Sequence, residues 1–194
     1  MSIAKRDKNP YAYAILGKLI KSRLIIIRDL KMAIKYFALS AEKNCPLGLY
    51  YLGKEYFYGR YLDQNYDKAK ELLLKAIEND DEPRAGYYLF KIPGIQNDEN
   101  LNAVEFLKTG AIYNHKRALY KYGQLLYTGK DKRIQKDEAK GIDLLKKASK
   151  QRYKNVLRFC KVHGIDNTNE DIDEKSINDT TEEEEEEKES SFDF

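Results

Sequence analysis

Four segments of the chain line up with one another at nearly constant spacing, and this regularity restricts the fold more than any other feature. AYAILG (Ala12 to Gly17), GLYYLG (Gly48 to Gly53), AGYYLF (Ala85 to Phe90) and ALYKYG (Ala118 to Gly123) each place a small residue first and an apolar residue four positions later. The apolar anchors Leu16, Leu52, Leu89 and Tyr122 are separated by 36, 37 and 33 residues. A fainter fifth copy, NVLRFC from Asn155, places Phe159 37 residues after Tyr122. A period of this length marks a supersecondary unit that gains shelter for its apolar side only by stacking on its neighbours.

A second register follows the first. AIKYFALSA (from Ala33), AKELLLKAI (from Ala69), AVEFLKTGA (from Ala103) and GIDLLKKAS (from Gly141) share a bulky pair at +3 and +4 and a small residue at +7. Positions 0, 3, 4 and 7 form one helical face. Each unit therefore reads as two amphipathic helices, A and B, joined by a loop. An Asp or Asn near the start of each B helix (Asp29, Asn65 to Asp67, Asn100, Asp137) is placed to cap orphan amides. Gly17, Gly53 and Gly123 fall in the middle of A helices, where Gly costs about 1 kcal/mol relative to Ala. Close approach of the partner helix is the compensation that recurrence at one slot predicts. The third copy departs from the pattern with Phe90 in the Gly slot and Pro93 soon after, which predicts an early end to its first helix and a local irregularity. The fourth copy has two extra residues in its loop, KDKRIQKDEAK.

The period near 36, a bulky residue followed by Gly, a Tyr or Leu three positions later (Tyr56, Leu126), the loop glycines Gly59 and Gly129 and Ala-rich B helices together resemble the Sel-one-like repeat family, relatives of the tetratricopeptide repeats. The resemblance covers residues 10 to 165. It implies an all-α fold, an α/α superhelical solenoid of about four and a half helix-pair repeats. The repeats are expected at about 10–45, 46–81, 82–115 and 116–152, with a partial cap at 153–165. Residues 1–9 form an N-terminal extension, and residues 166–194 an acidic tail.

Charge separates body from tail. From Asp166 to Phe194 there are 14 acidic residues and two lysines, so this stretch carries −12 while residues 1–165 carry +15. A stretch with six consecutive glutamates lacks the apolar content that offsets ordering entropy, so disorder is expected there. No run approaches the 18 or more apolar residues of a membrane span, and MSIAKRDKNP lacks the apolar core of a secretory signal. Cys45 and Cys160 have no zinc or redox spacing, so free thiols in a reducing compartment are expected. The expected location is the cytoplasm, with the nucleus second.

Catalytic patterns are sparse. His115 and His163 sit at helix boundaries, outside any motif pairing them with a nucleophile or metal ligands. No phosphate-cradling or dinucleotide-binding glycine pattern is found. The expectation is a non-catalytic adaptor without cofactor or metal.

The tetratricopeptide-like arrangement implied by the resemblance turns inward the positions two before and two after each anchor: Ala14 and Lys18, Tyr50 and Lys54, Tyr87 and Lys91, Tyr120 and Gln124. Arg84 and Arg117 extend the set. A ladder of tyrosines beside lysines offers stiff contact area and attraction for an acidic or aromatic-containing peptide. The competing reading is that the tyrosines pad contacts between helices. A second function class is RNA or anionic-surface binding by the basic body, through segments such as KDKRIQK and KKASKQRYK. The tail, with its acid and the aromatics of SSFDF, is complementary to the ladder and is expected to compete for it.

Overall fold

A computed structural model of the chain describes residues 9–22, 29–78, 81–95 and 102–166. The expectations for residues 1–8, for Asn100 and for the tail beyond residue 166 lie outside the described residues. Regular structure among the described residues is α-helical: α1 (Pro10–Lys21), α2 (Leu30–Ala41), α3 (Pro46–Tyr58), α4 (Tyr66–Ile77), α5 (Ala85–Lys91), α6 (Ala103–Ile112), α7 (Lys116–Thr128), α8 (Glu138–Lys150) and α9 (Lys154–His163). The chain divides into two compact units, Met1–Gly94 with α1 to α5 and Ile95–Phe194 with α6 to α9.

Helix boundaries follow local chemistry. Pro10 and Pro46 open α1 and α3, where a missing amide hydrogen costs nothing. Each B helix starts on a side-chain cap. Asp29 accepts from the Met32 amide at 2.9 Å, Asn65 from Lys68 at 2.9 Å and Asp137 from Lys140 at 3.0 Å. The cap of α6 is Asn102, which accepts from the Glu105 amide at 3.2 Å. This cap stands three residues before the amide it satisfies. Gly59 and Gly129 close α3 and α7 in the left-handed conformation, at φ 67° and 63°.

In the first unit, α1 packs on α2, α2 on α3, α3 on α4 and α4 on α5, while α1 also meets α3 and α3 meets α5. The A helices α1, α3 and α5 thus stack on one another, with α2 and α4 packed against them. The second unit repeats the scheme, with α6 on α7, α7 on α8 and α8 on α9.

The B-helix register sets the core. Positions 0, 4 and 7 are buried in every copy: Ala33, Phe37 and Ser40; Ala69, Leu73 and Ala76; Ala103, Leu107 and Gly110; Gly141, Leu145 and Ala148. Burying each large apolar member contributes about 1.5–3 kcal/mol. The A-helix glycines sit against position +4. A Cβ on Gly17 would lie 2.6 Å from Phe37 Cε1, and one on Gly53 would lie 2.9 Å from Leu73 Cγ. On Gly123 it would lie 3.1 Å from the Gly141 carbonyl oxygen and 3.2 Å from Leu145 Cγ. The close approach expected from glycine recurrence is present at all three crossings. The anchors beside those glycines behave unequally, since Leu89 and Tyr122 are buried while Leu16 and Leu52 are half-buried.

The third copy is interrupted where its sequence departs from the others. Its A helix, α5, has seven residues and ends at Lys91. Ile92 takes the extended conformation, φ −62° and ψ 126°, that the following Pro93 favours. Phe90 fills the glycine slot and is itself buried. The boundary between the two compact units follows at Gly94, so α5 and α6 belong to different units.

Candidate partner-binding site

The nine residues expected to contact a partner fall into two groups. Lys18, Tyr50, Lys54, Arg84, Tyr87 and Lys91 belong to the first compact unit, and Arg117, Tyr120 and Gln124 to the second.

In the first unit, α3 and α5 bring Tyr50, Lys54, Arg84 and Tyr87 to one aromatic cluster centred on Tyr88. The Tyr88 ring lies 5.8 Å from Tyr50, 5.3 Å from Tyr87, 5.6 Å from Phe57 and 6.0 Å from Tyr58, each edge-on. Edge-to-face pairs at such spacing add about 0.5–1.5 kcal/mol beyond burial. The Lys54 ammonium sits 5.7 Å from the Tyr88 ring centre and 6.0 Å from that of Tyr58. The Arg84 guanidinium lies 4.7 Å above Tyr50 and makes a two-pronged pair with Glu82, with Nε donating to Oε1 and Nη2 to Oε2 at 2.5 Å each. Burial alone would lower the Arg84 pKa, but the Glu82 bond and the neighbouring tyrosine oxygens outweigh it and hold the group above its ordinary range. Arg84 therefore keeps its charge.

Accessibility corrects the picture of a free ladder. Tyr50 and Lys54 are each 3% exposed and Arg117 only 1%, and Tyr87 is buried as well. Lys18 and Lys91 are exposed, and Arg84, Tyr120 and Gln124 are half-buried. Ala14 is fully buried. The physical reason is helix stacking. The position two before the anchor on α3 faces α5, so Tyr50 packs against Tyr88 between these two A helices, and Tyr87 is buried beside Tyr88. The padding role is what their geometry shows.

In the second unit, Tyr120 is edge-on to Tyr153 at 5.5 Å and to Phe159 at 6.1 Å. Gln124 Nε2 donates to the Tyr120 hydroxyl at 3.4 Å, and its Oε1 accepts from Lys121 Nζ at 3.3 Å. Tyr127 continues the strip to Phe159 at 5.8 Å and His163 at 5.4 Å. Lys116 lies 5.8 Å from the Tyr153 ring centre.

Tyr88, Tyr127, Tyr153 and His163 were not among the expected site residues. A signal for Tyr127 exists, because it stands seven positions after Tyr120 and shares its face. Tyr88 offered none, since only packing of α3 on α5 makes it the hub. Among the described residues, no group of His, Cys, Asp and Glu is placed to hold a metal ion. None of the described helices is long and apolar enough to cross a membrane. Cys45 and Cys160 are both buried.

Helix pairs whose A members stack on one another, with a glycine or other small residue at the A to B crossing, define an α-helical repeat protein of the solenoid class. The chain belongs to the Sel1 repeat family, which it matches over residues 10–45, 46–81 and 116–153, more than half its length. Among solved structures it is similar to a protective antigen of uropathogenic Escherichia coli displaying an SLR fold. That match has a TM-score of 0.68 and 24% identity, covering 84% of this chain and 35% of the antigen. A Sel1 repeat protein from Oxalobacter formigenes matches with a TM-score of 0.61 at 17% identity, over 78% of this chain and 62% of that one. A Pseudomonas aeruginosa protein matches with a TM-score of 0.59 at 18% identity, over 81% and 61% of the two chains. The chain thus spans about a third to three-fifths of these relatives, and at such identities the likeness establishes the fold. No curated protein matches the sequence. Sel1 repeat proteins generally serve as scaffolds for protein–protein interaction, and the family is generally non-catalytic.

Proposed function

We propose that this protein is a non-catalytic adaptor that holds an extended acidic or aromatic-containing peptide on the inner face of its A helices. In this reading residues 10–165 are the binding body, working in the cytoplasm. Residues 1–9 and 166–194 are extensions, and the acidic one regulates access. The observation that carries the reading is the cationic layer on the A helices of the first unit. Arg84 is stacked on Tyr50 and still reaches solvent, Lys54 is set among tyrosine rings beneath it, and Lys18 and Lys91 are exposed on α1 and α5. Cations held on aromatic faces lose mobility in advance, so less entropy is lost when an anionic peptide docks. Tyr120 and Gln124 offer a second, more neutral contact in the other unit.

Burial decides how to test this. Tyr50, Lys54 and Tyr87 are buried, so replacing any of them would damage packing and loss of binding by such variants would be uninformative. Lys18→Glu, Arg84→Glu and Lys91→Glu act at accessible groups. Combined, they should abolish capture of acidic peptides from a peptide array while leaving the helical circular dichroism intact. Capture unchanged by all three would defeat the proposal. Random RNA as competitor addresses the other function class. Displacement of peptide by any RNA, with a steep fall of affinity in salt, would favour the polyanion reading.

A further inference from the structure

The last described helix, α9, exposes a face that its counterparts bury or half-bury. A shift of 37 residues places Lys154, Leu157, Arg158, Lys161 and Val162 of α9 at the positions of Arg117, Tyr120, Lys121, Gln124 and Leu125 on α7. On α7, Arg117 and Leu125 are buried, and the Tyr120 ring packs against Tyr153, the N-cap residue of α9, and Phe159 of α9. On α3 the corresponding Tyr50, Lys54 and Glu55 are also buried. On α9, by contrast, Val162 is 73% exposed and Leu157 half-buried, with Arg158 and Lys161 exposed beside them. These five positions span one helical face, opposite the buried Val156 and Cys160. Among the described residues no further repeat covers this inter-repeat face, and its charge is positive.

We infer that this face is the docking site of the chain's own acidic extension, residues 167–194, and this rests on the regulatory role proposed for that extension above. Three features point to that occupant. The extension begins directly after α9, so tethering keeps its effective concentration near millimolar. The stretch from Asp166 onward carries −12, opposite in sign to Lys154, Arg158 and Lys161. It also contains the apolar Ile172, Ile177, Phe192 and Phe194, two of them aromatic like the Tyr153 and Phe159 rings against Tyr120, the counterpart of Leu157. The extension thereby acts as a terminal cap for the repeats. Release from the cap, and not displacement from the aromatic layer of the first unit, frees it to compete with a partner.

Paramagnetic relaxation on the full-length chain tests this directly. A nitroxide is placed on Ser190→Cys, with the buried native thiols left in place, and amide intensities are read at about 0.15 M salt, where the Debye length is about 8 Å. The amides of Leu157 to Val162 should lose intensity, and the double reversal Lys154→Glu with Arg158→Glu should restore it without changing the helical dichroism. Absence of any loss on α9, or loss centred on Tyr50 and Tyr87 instead, overturns the inference. So does a loss seen only between labelled and unlabelled chains in a mixture, which would mean a second copy supplies the occupant. The relaxation result needs no partner, so a failure of peptide capture would count against the adaptor reading while leaving this docking site standing.

Discussion

A glycine inside a helix costs about 1 kcal/mol relative to alanine, yet Gly17 lies mid-helix in α1 at the crossing with α2. Restoring a methyl there sets helix propensity against packing. The new Cβ would lie 2.6 Å and 2.7 Å from the Phe37 ring and 2.9 Å from the Ala33 carbonyl oxygen. The ring is fully buried and the carbonyl is backbone, so neither yields cheaply, and overpacking of this kind costs about 1–3 kcal/mol. Gly17→Ala should therefore lower the urea midpoint despite the better propensity of alanine, with an unchanged denaturant slope. The opposite sign is expected at Arg152. The turns before α3, α7 and α9 each hold a residue at positive φ: Asn44 at 51°, Asn114 at 61° and Arg152 at 54°. Asn tolerates this region better than a long side chain does. Arg152→Asn should stabilise the protein by up to about 1 kcal/mol in the same urea experiment.

Elements owe their limits to a few polar side chains. Asp137 satisfies the Lys140 amide at the start of α8, and its own amide donates to the Leu126 carbonyl of α7 at 3.1 Å. One residue thus both starts a B helix and ties it to its A helix. Asp137→Ala removes the cap and keeps the backbone tie, so a loss of about 0.5–2 kcal/mol is expected. Hydrogen exchange should show the change as fraying at the first turn of α8. The same chemistry recurs at Asn65, whose amide donates to the Tyr56 carbonyl at 3.0 Å. These caps were legible in sequence because side-chain capping is a local event, decided within three residues. The copy with Asn100 and Asn102 so close together shows the limit of such reading, since a two-residue choice of register depends on where the helix starts.

At the scale of the molecule, repeats draw stability from their neighbours, and loss of one core residue falls first on the elements around it. Leu145 is fully buried in α8 and stands against Gly123 of α7. Leu145→Ala should cost about 2–5 kcal/mol. Hydrogen exchange should accelerate in α7, α8 and α9 before it does in α1 to α4. Uniform acceleration along the chain would show that the array unfolds as one cooperative body.

The periodic features were decided by sequence alone. The 36-residue spacing, the 0, 4, 7 face of the B helices and the crossing glycines all depend on helical geometry that any chain of L-residues obeys. They sufficed for the fold class and the family. Burial of the A-helix tyrosines and of Lys54 was not decided there. Period and spacing say which residues share a face, but whether that face meets solvent or the next helix depends on how successive A helices stack. That stacking put Tyr88, two helices away in the chain, over Tyr50. It also left the matching face of α9 without a repeat packed against it among the described residues.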